Sequence, residues 1–369
     1  MRIYKLLLIV LILLFIWYYI KPKKHNFWDK QMVNRDNINN NKIIEDIKKI
    51  NIDKKLINES WKSVKIKKLE KFINKNFSDE QIYQKKYFNW ILASPHRHID
   101  NLENVDRNSF NVCLIKDNNI IGSITGRPII LSIKNNIKKA LYVDLLCVDK
   151  KKRNKRLAPK LISKMIEIMK INNIEIAIFN IDKKQLPFNH IGCIQYYYDN
   201  LLNLNLDKQN LMDNDLKIEE LNMNNCTNAY EFYYSIKRKN KLYQLLSFEE
   251  FIYYYKPNDD LIETYICYDE NKKIIGFASF MVTYYKYNKE VLKNIELIKY
   301  FYKSNNYIFF DKLMKKFIDK GFRYIITPNN YTYKNIINKY NLFKCQKTYY
   351  YFYNYNLKLK EEDICLNFP

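Results

Sequence analysis

Residues 142–159 read YVDLLCVDKKKRNKRLAP. The first seven of them alternate and carry enough branched and aromatic side chains to predict a strand. A basic turn follows through Lys150, Lys151, Lys152, Arg153, Asn154, Lys155 and Arg156. A helix then begins near Ala158 and Pro159, because proline suits a first helical turn, where the N–H it lacks would have no partner anyway. A helix N-terminus with free amides beside Arg and Lys is an anion site, suited to a pyrophosphate or a sugar phosphate. The competing reading is a solvated basic turn, and composition alone favours it in so lysine-rich a chain.

Working outward, the strand and helix belong to a pattern that occurs twice. Residues 111–126, NVCLIKDNNIIGSITG, predict a strand, a polar turn and a second strand through Ile120, Ile121 and Gly122. Residues 264–280, TYICYDENKKIIGFASF, repeat this around Ile274, Ile275 and Gly276. A further strand starts near Leu141 in the first copy and Ile295 in the second, 19 residues after the glycine in each. Helices with apolar residues three and four apart come next, marked by Leu161, Ile162, Met165 and Ile168 and by Leu313, Phe317 and Ile318. Closing strands are predicted at 174–179 and 323–326. The fold class is therefore α+β, with two tandem halves related by duplication as a pseudo-twofold pair. The repeated unit is similar to the acetyltransferase (GNAT-type) fold, in which acyl-CoA phosphates sit where a central strand turns into a helix. The expected boundaries are a hydrophobic segment at 1–25, a first half at 26–205 and a second at 206–369. Residues 34–60, rich in Asn, Lys and Ile without a period, read as linker and short helices.

Composition removes several classes. Five glycines, Gly122, Gly126, Gly192, Gly276 and Gly321, cannot write a Walker loop or G-x-G-x-x-G, and G-x-S-x-G is absent too. Seven scattered cysteines without a C-x-x-C fit reduced thiols better than a disulfide framework. The four histidines form no H-E-x-x-H, and His96 with His98 reads as a loop feature, so no metal is expected. The formal charge of +24 suits a nucleic acid, a membrane or acyl-CoA phosphates, but an Asn-, Lys- and Ile-biased coding sequence explains most of it. No helix-turn-helix, finger or RNP motif accompanies the charge, so nucleic acid is not expected as a partner.

Residues 6–20, LLLIVLILLFIWYYI, form an uncharged run flanked by Arg2 and Lys5 before it and Lys21, Lys23 and Lys24 after it. As a helix the run spans roughly 22 Å, and Ile3, Tyr4 and a snorkelling Lys5 extend it toward the ~30 Å hydrocarbon core. A cleaved signal peptide competes, yet bulky aromatics and KPKK follow where a small-residue cleavage site would lie. The expectation is an uncleaved membrane anchor, with the bulk of the chain tilted to the cytoplasm by the downstream basic cluster.

Residues 142–159 resemble the signature of the glycylpeptide N-tetradecanoyltransferase (N-myristoyltransferase) family, in which a strand ending in aromatic-Leu-Cys-Val precedes a basic turn and Ala-Pro. Here Leu145, Leu146, Cys147 and Val148, then Arg153, Asn154, Lys155, Arg156, Leu157, Ala158 and Pro159, carry the match. Further likenesses occur in the family's order. FWDKQMV at 27–33, with Phe27, Trp28 and Gln31, resembles the segment that covers CoA. FNWILASP at 88–95, IIGSITGRP at 120–128, LPFNHIGC at 186–193, KYFYK at 299–303 and YYFYNY at 350–355 follow. The resemblance runs from Phe27 to the end of the sequence and leaves residues 1–25 outside it.

The resemblance implies direct acyl transfer from myristoyl-CoA, a co-substrate rather than a bound cofactor, to the N-terminal glycine of a peptide or protein. It gives the oxyanion to the backbone amides of Leu145 and Leu146; because backbone does this work, a leucine in place of the aromatic need not abolish it. It gives the proton-accepting role to the terminal carboxylate, here Pro369. The family's polar pair near the amine, usually Asn and Thr, becomes Asp144 and Asn180, and Asp144 is a candidate ammonium holder or auxiliary base. The family's peptide-reading His becomes Tyr198, Tyr300 and Tyr302 are candidates either for the peptide groove or for the aromatic core, and a Gly/Asp-rich loop shrinks to Lys344, Cys345, Gln346 and Lys347. These departures put the peptide preference in doubt. A monomer is expected. The competing readings are a catalytically degenerate acyl-CoA or peptide binder, and an acyltransferase with another acyl chain or a lysine acceptor.

Overall fold

The computed structural model describes residues 27–35, 38–52, 61–62, 64–92, 110–212, 216–237, 240–304, 306–329, 333–360 and 363–366. The first half opens with helices α1 (Ile66–Asn76) and α2 (Lys85–Leu92). The hairpin of β1 (Asn111–Lys116) and β2 (Asn119–Ile133) leads to β3 (Asn136–Val148), α3 (Leu157–Ile171), β4 (Ile176–Asp182) and β5 (Gly192–Asn200). The second half contributes β6 (Lys217–Glu220), α4 (Cys226–Lys237), β7 (Leu242–Leu245) and α5 (Phe248–Tyr255). Its own hairpin, β8 (Ile262–Tyr268) and β9 (Ile274–Tyr287), precedes β10 (Glu290–Tyr302), α6 (Ile308–Asp319) and β11 (Tyr324–Pro328). Helix α7 (Lys334–Lys339) and strands β12 (Phe343–Tyr353) and β13 (Ile364–Cys365) complete it. The duplicated hairpin–strand–helix–strand order of the sequence is thus the architecture, an α+β pair of acetyltransferase-like halves.

One sheet runs through both halves in the order β13-β7-β2-β3-β4-β12-β5-β11-β10-β9-β8-β6. The centre of that order exchanges strands. β5, which closes the first half in sequence, pairs with β11 of the second, and β12, from the second, pairs with β4 of the first. Each half therefore completes its sheet with the other's strand, and the chain crosses residue 205 without an edge to either layer.

The repeated glycines have one physical cause. A Cβ on Gly122 would stand 2.9 Å from Leu161 Cδ1 of α3, and a Cβ on Gly276 would stand 2.9 Å from the Phe309 ring of α6. In both halves the helix is seated so closely on the hairpin that only hydrogen fits there. Helix α3 is held by an apolar face of Leu161, Met165, Ile166, Ile168 and Met169, all buried against β1, β2 and β3.

The parallel pairings are short. β3 pairs with β4 only over Ala140–Val143 against Ile176–Phe179, and the last residues of β3 leave β4 and open a wedge. β10 pairs with β11 only at Ile295 and Glu296, which makes the equivalent wedge in the second half. That second wedge is plugged. Tyr333, fully buried, accepts from the Tyr300 amide at 3.2 Å and donates to the Ile298 carbonyl at 3.3 Å.

Three expectations are corrected. Among the described residues no helix is long and apolar enough to cross a membrane, so the membrane-anchored, cytoplasm-facing placement is withdrawn. The run at 6–20 on which it rested lies outside the described residues. The described part of 34–60 holds turns and the two-residue strand Lys42–Ile43 rather than short helices, tied antiparallel to Tyr355–Asn356. Lys344 to Lys347 is not a loop but an irregularity inside β12, which starts at Phe343. His96 and His98 lie outside the described residues.

Removing the plug's hydroxyl by Tyr333→Phe takes a partner from two buried backbone groups, a loss of about 1–3 kcal/mol. A thermal melt is expected to show a lower midpoint than wild type; an unchanged midpoint contradicts the plugged-wedge account.

Candidate active site

The open wedge is made by a bulge. Ser123 pairs with Cys147 and Thr125 with Asp144, so Leu145 and Leu146 together oppose the single residue Ile124. Leu145 takes φ +50°, a left-handed conformation uncommon for a leucine and one that concentrates at functional sites. Two hydroxyls on β2 fix the orientation. Thr125 Oγ1 donates to the Asp144 carbonyl at 3.0 Å, and Ser123 Oγ donates to the Leu145 carbonyl at 3.3 Å. In a trans peptide the C=O and the following N–H point in opposite directions. With both carbonyls turned toward β2, the amides of Leu145 and Leu146 face away from it, into the wedge. In the resting protein the Leu145 amide donates to Asp144 Oδ1 at 2.6 Å, so an incoming oxygen competes with that carboxylate.

Two cavities meet at the bulge. One, of about 330 Å³, is walled by Ile124, Val143, Met165, Ile166, Met169 and Phe179 and is mainly apolar, with Asp144, Asn180 and Asp182 also on its lining. Trp28 closes one side, stacked on Phe179 at 6.5 Å and 10° and tilted against Phe188 at 5.0 Å. Phe27 and Gln31 lie beside it, Gln31 Nε2 reaching the Phe27 carbonyl at 3.5 Å, with the Arg35 guanidinium on the Trp28 and Gln31 carbonyls. The other cavity, about 570 Å³, is lined by Cys147, Val148, Lys152, Arg153, Asn154, Arg156, Leu157, Ala158 and Pro159. Leu146 and Phe77 line both. Lys155 is in the same turn but is not among the lining side chains.

The second cavity has the features of an anion site. Asn154 and Arg156 adopt positive φ (64° and 56°), and Arg156 stands at the N-cap of α3 with no side-chain cap on the helix amides. Left-handed turns leading to uncapped helical amides make a concavity of N–H groups. Helix α1 braces the turn: Asn76 Oδ1 accepts from the Lys150 amide at 3.0 Å, and the Asn76 carbonyl accepts from Arg153 Nη2 at 2.7 Å. Burial pushes the Cys147 thiol up to about 12, so it is a poor nucleophile at neutral pH.

On the face of β3 and β4 opposite α3 lie tyrosines and carboxylates. Arg127, buried, sits 5.3 Å from the centre of both the Tyr142 and Tyr254 rings. Asn180 Nδ2 donates to the Tyr142 hydroxyl at 3.2 Å. Burial raises the Asp144 carboxyl above the usual range, while the Leu145 amide and Arg127 pull it partly back. Asp182, two residues along β4 from Asn180, accepts from Thr348 Oγ1 at 2.6 Å. Glu296 on β10 is half-buried, and burial with help from Asp182 pushes it up to about 7.

Of the residues singled out from sequence, Trp28, Asp144, Leu145, Leu146, Asn180 and the 147–159 turn converge on this junction. Tyr198 lies farther along β5, 40% exposed, beside Tyr324 and Phe343. Tyr300 is in the core of the second half, stacked on Phe309, and Tyr302 packs on the same ring; neither lines either cavity. Pro369 lies outside the described residues. Sequence reasoning missed Arg127, Asp182 and Glu296. The available signal for Glu296 was an isolated acid inside the apolar run IELI of β10.

The fold is an acetyltransferase-like unit built twice, with the wedge of one half open. Residues 37–193 match the family model described as Myristoyl-CoA:protein N-myristoyltransferase, N-terminal domain. A putative glycylpeptide N-tetradecanoyltransferase of Amsacta moorei entomopoxvirus is 26% identical over 279 residues, 75% of this chain and 73% of that one. The glycylpeptide N-tetradecanoyltransferase of Plasmodium falciparum is also 26% identical, over 54% of this chain and 51% of its own length. Among solved structures, Saccharomyces cerevisiae N-myristoyltransferase with bound myristoyl-CoA superposes with a TM-score of 0.75 at 16% identity, covering 91% of this chain and 90% of that one. The likeness to N-myristoyltransferases thus covers residues 37–193 by family model and most of the chain by fold.

The Glu296 carboxyl gives a pH signature. Its folded value, about 7, lies above the ordinary 4.5, so between these the folded state binds more protons than the unfolded one. Stability from this group is therefore present at low pH and lost as pH rises through 7, by at most about 3 kcal/mol. Glu296→Gln is expected to melt higher than wild type at pH 8 and close to it at pH 4.5. Equal melting at both pH values contradicts the buried-acid assignment.

Proposed function

We infer that this protein transfers myristate from myristoyl-CoA to the N-terminal glycine amine of peptides and proteins. The observation that carries the reading is the meeting of an apolar cavity and an anion-binding turn at two backbone amides turned the same way. Acyl-CoA has that anatomy: an aliphatic chain and a polyphosphate joined at a thioester. Each methylene buried in the 330 Å³ cavity contributes about 0.8 kcal/mol. The CoA phosphates take the amides at the start of α3 with Arg153 and Arg156, and the thioester carbonyl lies between them at Leu145 and Leu146.

The reaction is a direct displacement. The glycine nitrogen attacks the thioester carbon, the carbonyl oxygen gathers charge against the two amides, and the C–S bond breaks as CoA thiolate leaves. A preorganised donor of this kind is worth about 2.7–4 kcal/mol in other enzymes. The oxygen takes the Leu145 amide from Asp144, whose carboxylate is then free to hold the incoming ammonium from the groove side with Asn180. An N-terminal ammonium titrates near 8 and must shed a proton before attack. The acceptor is the terminal carboxylate at Pro369. In support, β13 runs parallel to β7 with Ile364 opposite Leu242, and β7 is antiparallel to β2, so β13 is aimed along β2 toward Arg127 and Thr125.

The test is the full chain with myristoyl-CoA and a glycine-initiated peptide, following peptide mass and free CoA thiol. One myristoyl-peptide per thiol is expected; acyl-CoA binding without product overturns the reading. Adding three alanines after Pro369 displaces the carboxylate and is expected to lower kcat about 100-fold, at the lower end of general-base effects. An unchanged kcat removes the base from Pro369.

A further inference from the structure

We propose that Lys299 and Cys365 form a cross-linking site, at which hydrogen peroxide joins the lysine nitrogen to the cysteine sulfur. Lys299 Nζ donates to Cys365 Sγ at 3.5 Å, and both residues are buried, at 2% and 5% exposure. A lysine is almost never buried this deeply without a good acceptor, because its ammonium has three hydrogens to place. Among the described residues the Lys299 side chain has only the sulfur. Two nucleophiles in contact, with no other group competing for the nitrogen, are set to react with each other once the sulfur is oxidised.

The fold brings them together from two strands that are 66 residues apart. β10 slips register between Leu297 and Lys299, so Lys299 and Phe301 turn away from α6 while Tyr300 stays packed on Phe309. In β13, Ile364 and Leu366 sit in the apolar cluster with Ile194 and Tyr350, and alternation turns Cys365 the other way. Cys365 is near enough to Tyr233 and Tyr255 for its charge to act on both phenols, whose hydroxyls are 3.3 Å apart. β13 is held in the sheet by two residue pairs, Ile364 with Leu242 and Cys365 with Tyr243. So short a strand opens locally more readily than the long strands around it, and a water-sized oxidant enters then.

Hydrogen peroxide oxidises the Cys365 thiol to a sulfenic acid and is itself reduced, releasing one water. The Lys299 nitrogen then attacks that sulfur: an S–N bond forms, the S–O bond breaks, and hydroxide leaves with a proton from nitrogen as a second water. A sulfenic acid condenses with a thiol or nitrogen within reach, and here the group in contact is the lysine nitrogen. The resulting sulfenamide ties β10 to β13, and a thiol reductant breaks it. On the acyl-transfer reading β13 leads to the terminal carboxylate, so the bond restrains the strand that carries the proton acceptor and slows turnover. The cross-link itself does not depend on that reading.

The full chain is treated with hydrogen peroxide, quenched with catalase, alkylated and digested with trypsin for peptide mapping. The expected product is the Lys299 peptide joined to the Cys365 peptide, lighter by two hydrogens than the pair and separated again by dithiothreitol. Cys345, which is exposed, reports that the oxidant has acted. Oxidised Cys345 beside a Cys365 that still alkylates overturns the proposal, as does Cys365 carried to sulfinic acid with Lys299 free. With myristoyl-CoA and a glycine-initiated peptide, treated wild type is expected to lose at least threefold in kcat and regain it with dithiothreitol. Treated Cys365→Ser is expected to keep its kcat; equal loss in both overturns the claim that the bond acts on turnover. If the untreated chain transfers no acyl group, the acyltransferase reading falls and the peptide map alone decides the cross-link.

Discussion

The site depends on one extra residue in β3. Placing Leu145 and Leu146 opposite Ile124 breaks the ladder, forces Leu145 to φ +50° and parts β3 from β4 beyond Val143. Without the bulge the strands would pair to their ends and no wedge would separate the apolar cavity from the basic turn. The strain of a left-handed leucine, on the order of 1–3 kcal/mol, is held by the Ser123 and Thr125 hydroxyls and by the packing of α3 on the hairpin. A single local distortion therefore sets the direction of two amides and the mouth of two cavities.

Duplication supplied two such wedges, and the sequence spent them differently. In the second half the corresponding irregularity falls at Ile298, and Tyr333 fills the gap with a hydroxyl bonded to Tyr300 and Ile298. The exchanged strands β5 and β12 lock the halves together.

The fold was legible because its signals are local and repeated. Gly122 and Gly276, equal spacings to the next strand and three-and-four apolar spacing in α3 and α6 each reflect contacts inside one half. The strand, turn and helix that line the two cavities were legible for the same reason, since they are contiguous from 142 to 159. The polar residues on the opposite face of the sheet were legible only in part: Asp144 and Asn180 came from the resemblance, whereas Arg127, Asp182 and Glu296 lie on three different strands and no linear pattern joins them. Tyr300 and Tyr302 were ambiguous in the sequence because an aromatic strand reads alike whether it lines a groove or, as here, packs on Phe309. The apolar run at 6–20 has no counterpart among the described helices.

The account's central claim is that the bulge amides receive the thioester oxygen at the junction of the two cavities. The direct measurement is a crystal structure of the protein with a non-hydrolysable thioether analogue of myristoyl-CoA that retains the carbonyl. The account predicts the acyl chain among Met165, Ile166, Met169 and Phe179, the phosphates on Arg153 and Arg156, and the carbonyl oxygen within hydrogen-bond distance of both Leu145 N and Leu146 N. An acyl chain outside that cavity, or a carbonyl oxygen that leaves the Leu145 amide bonded to Asp144, contradicts it.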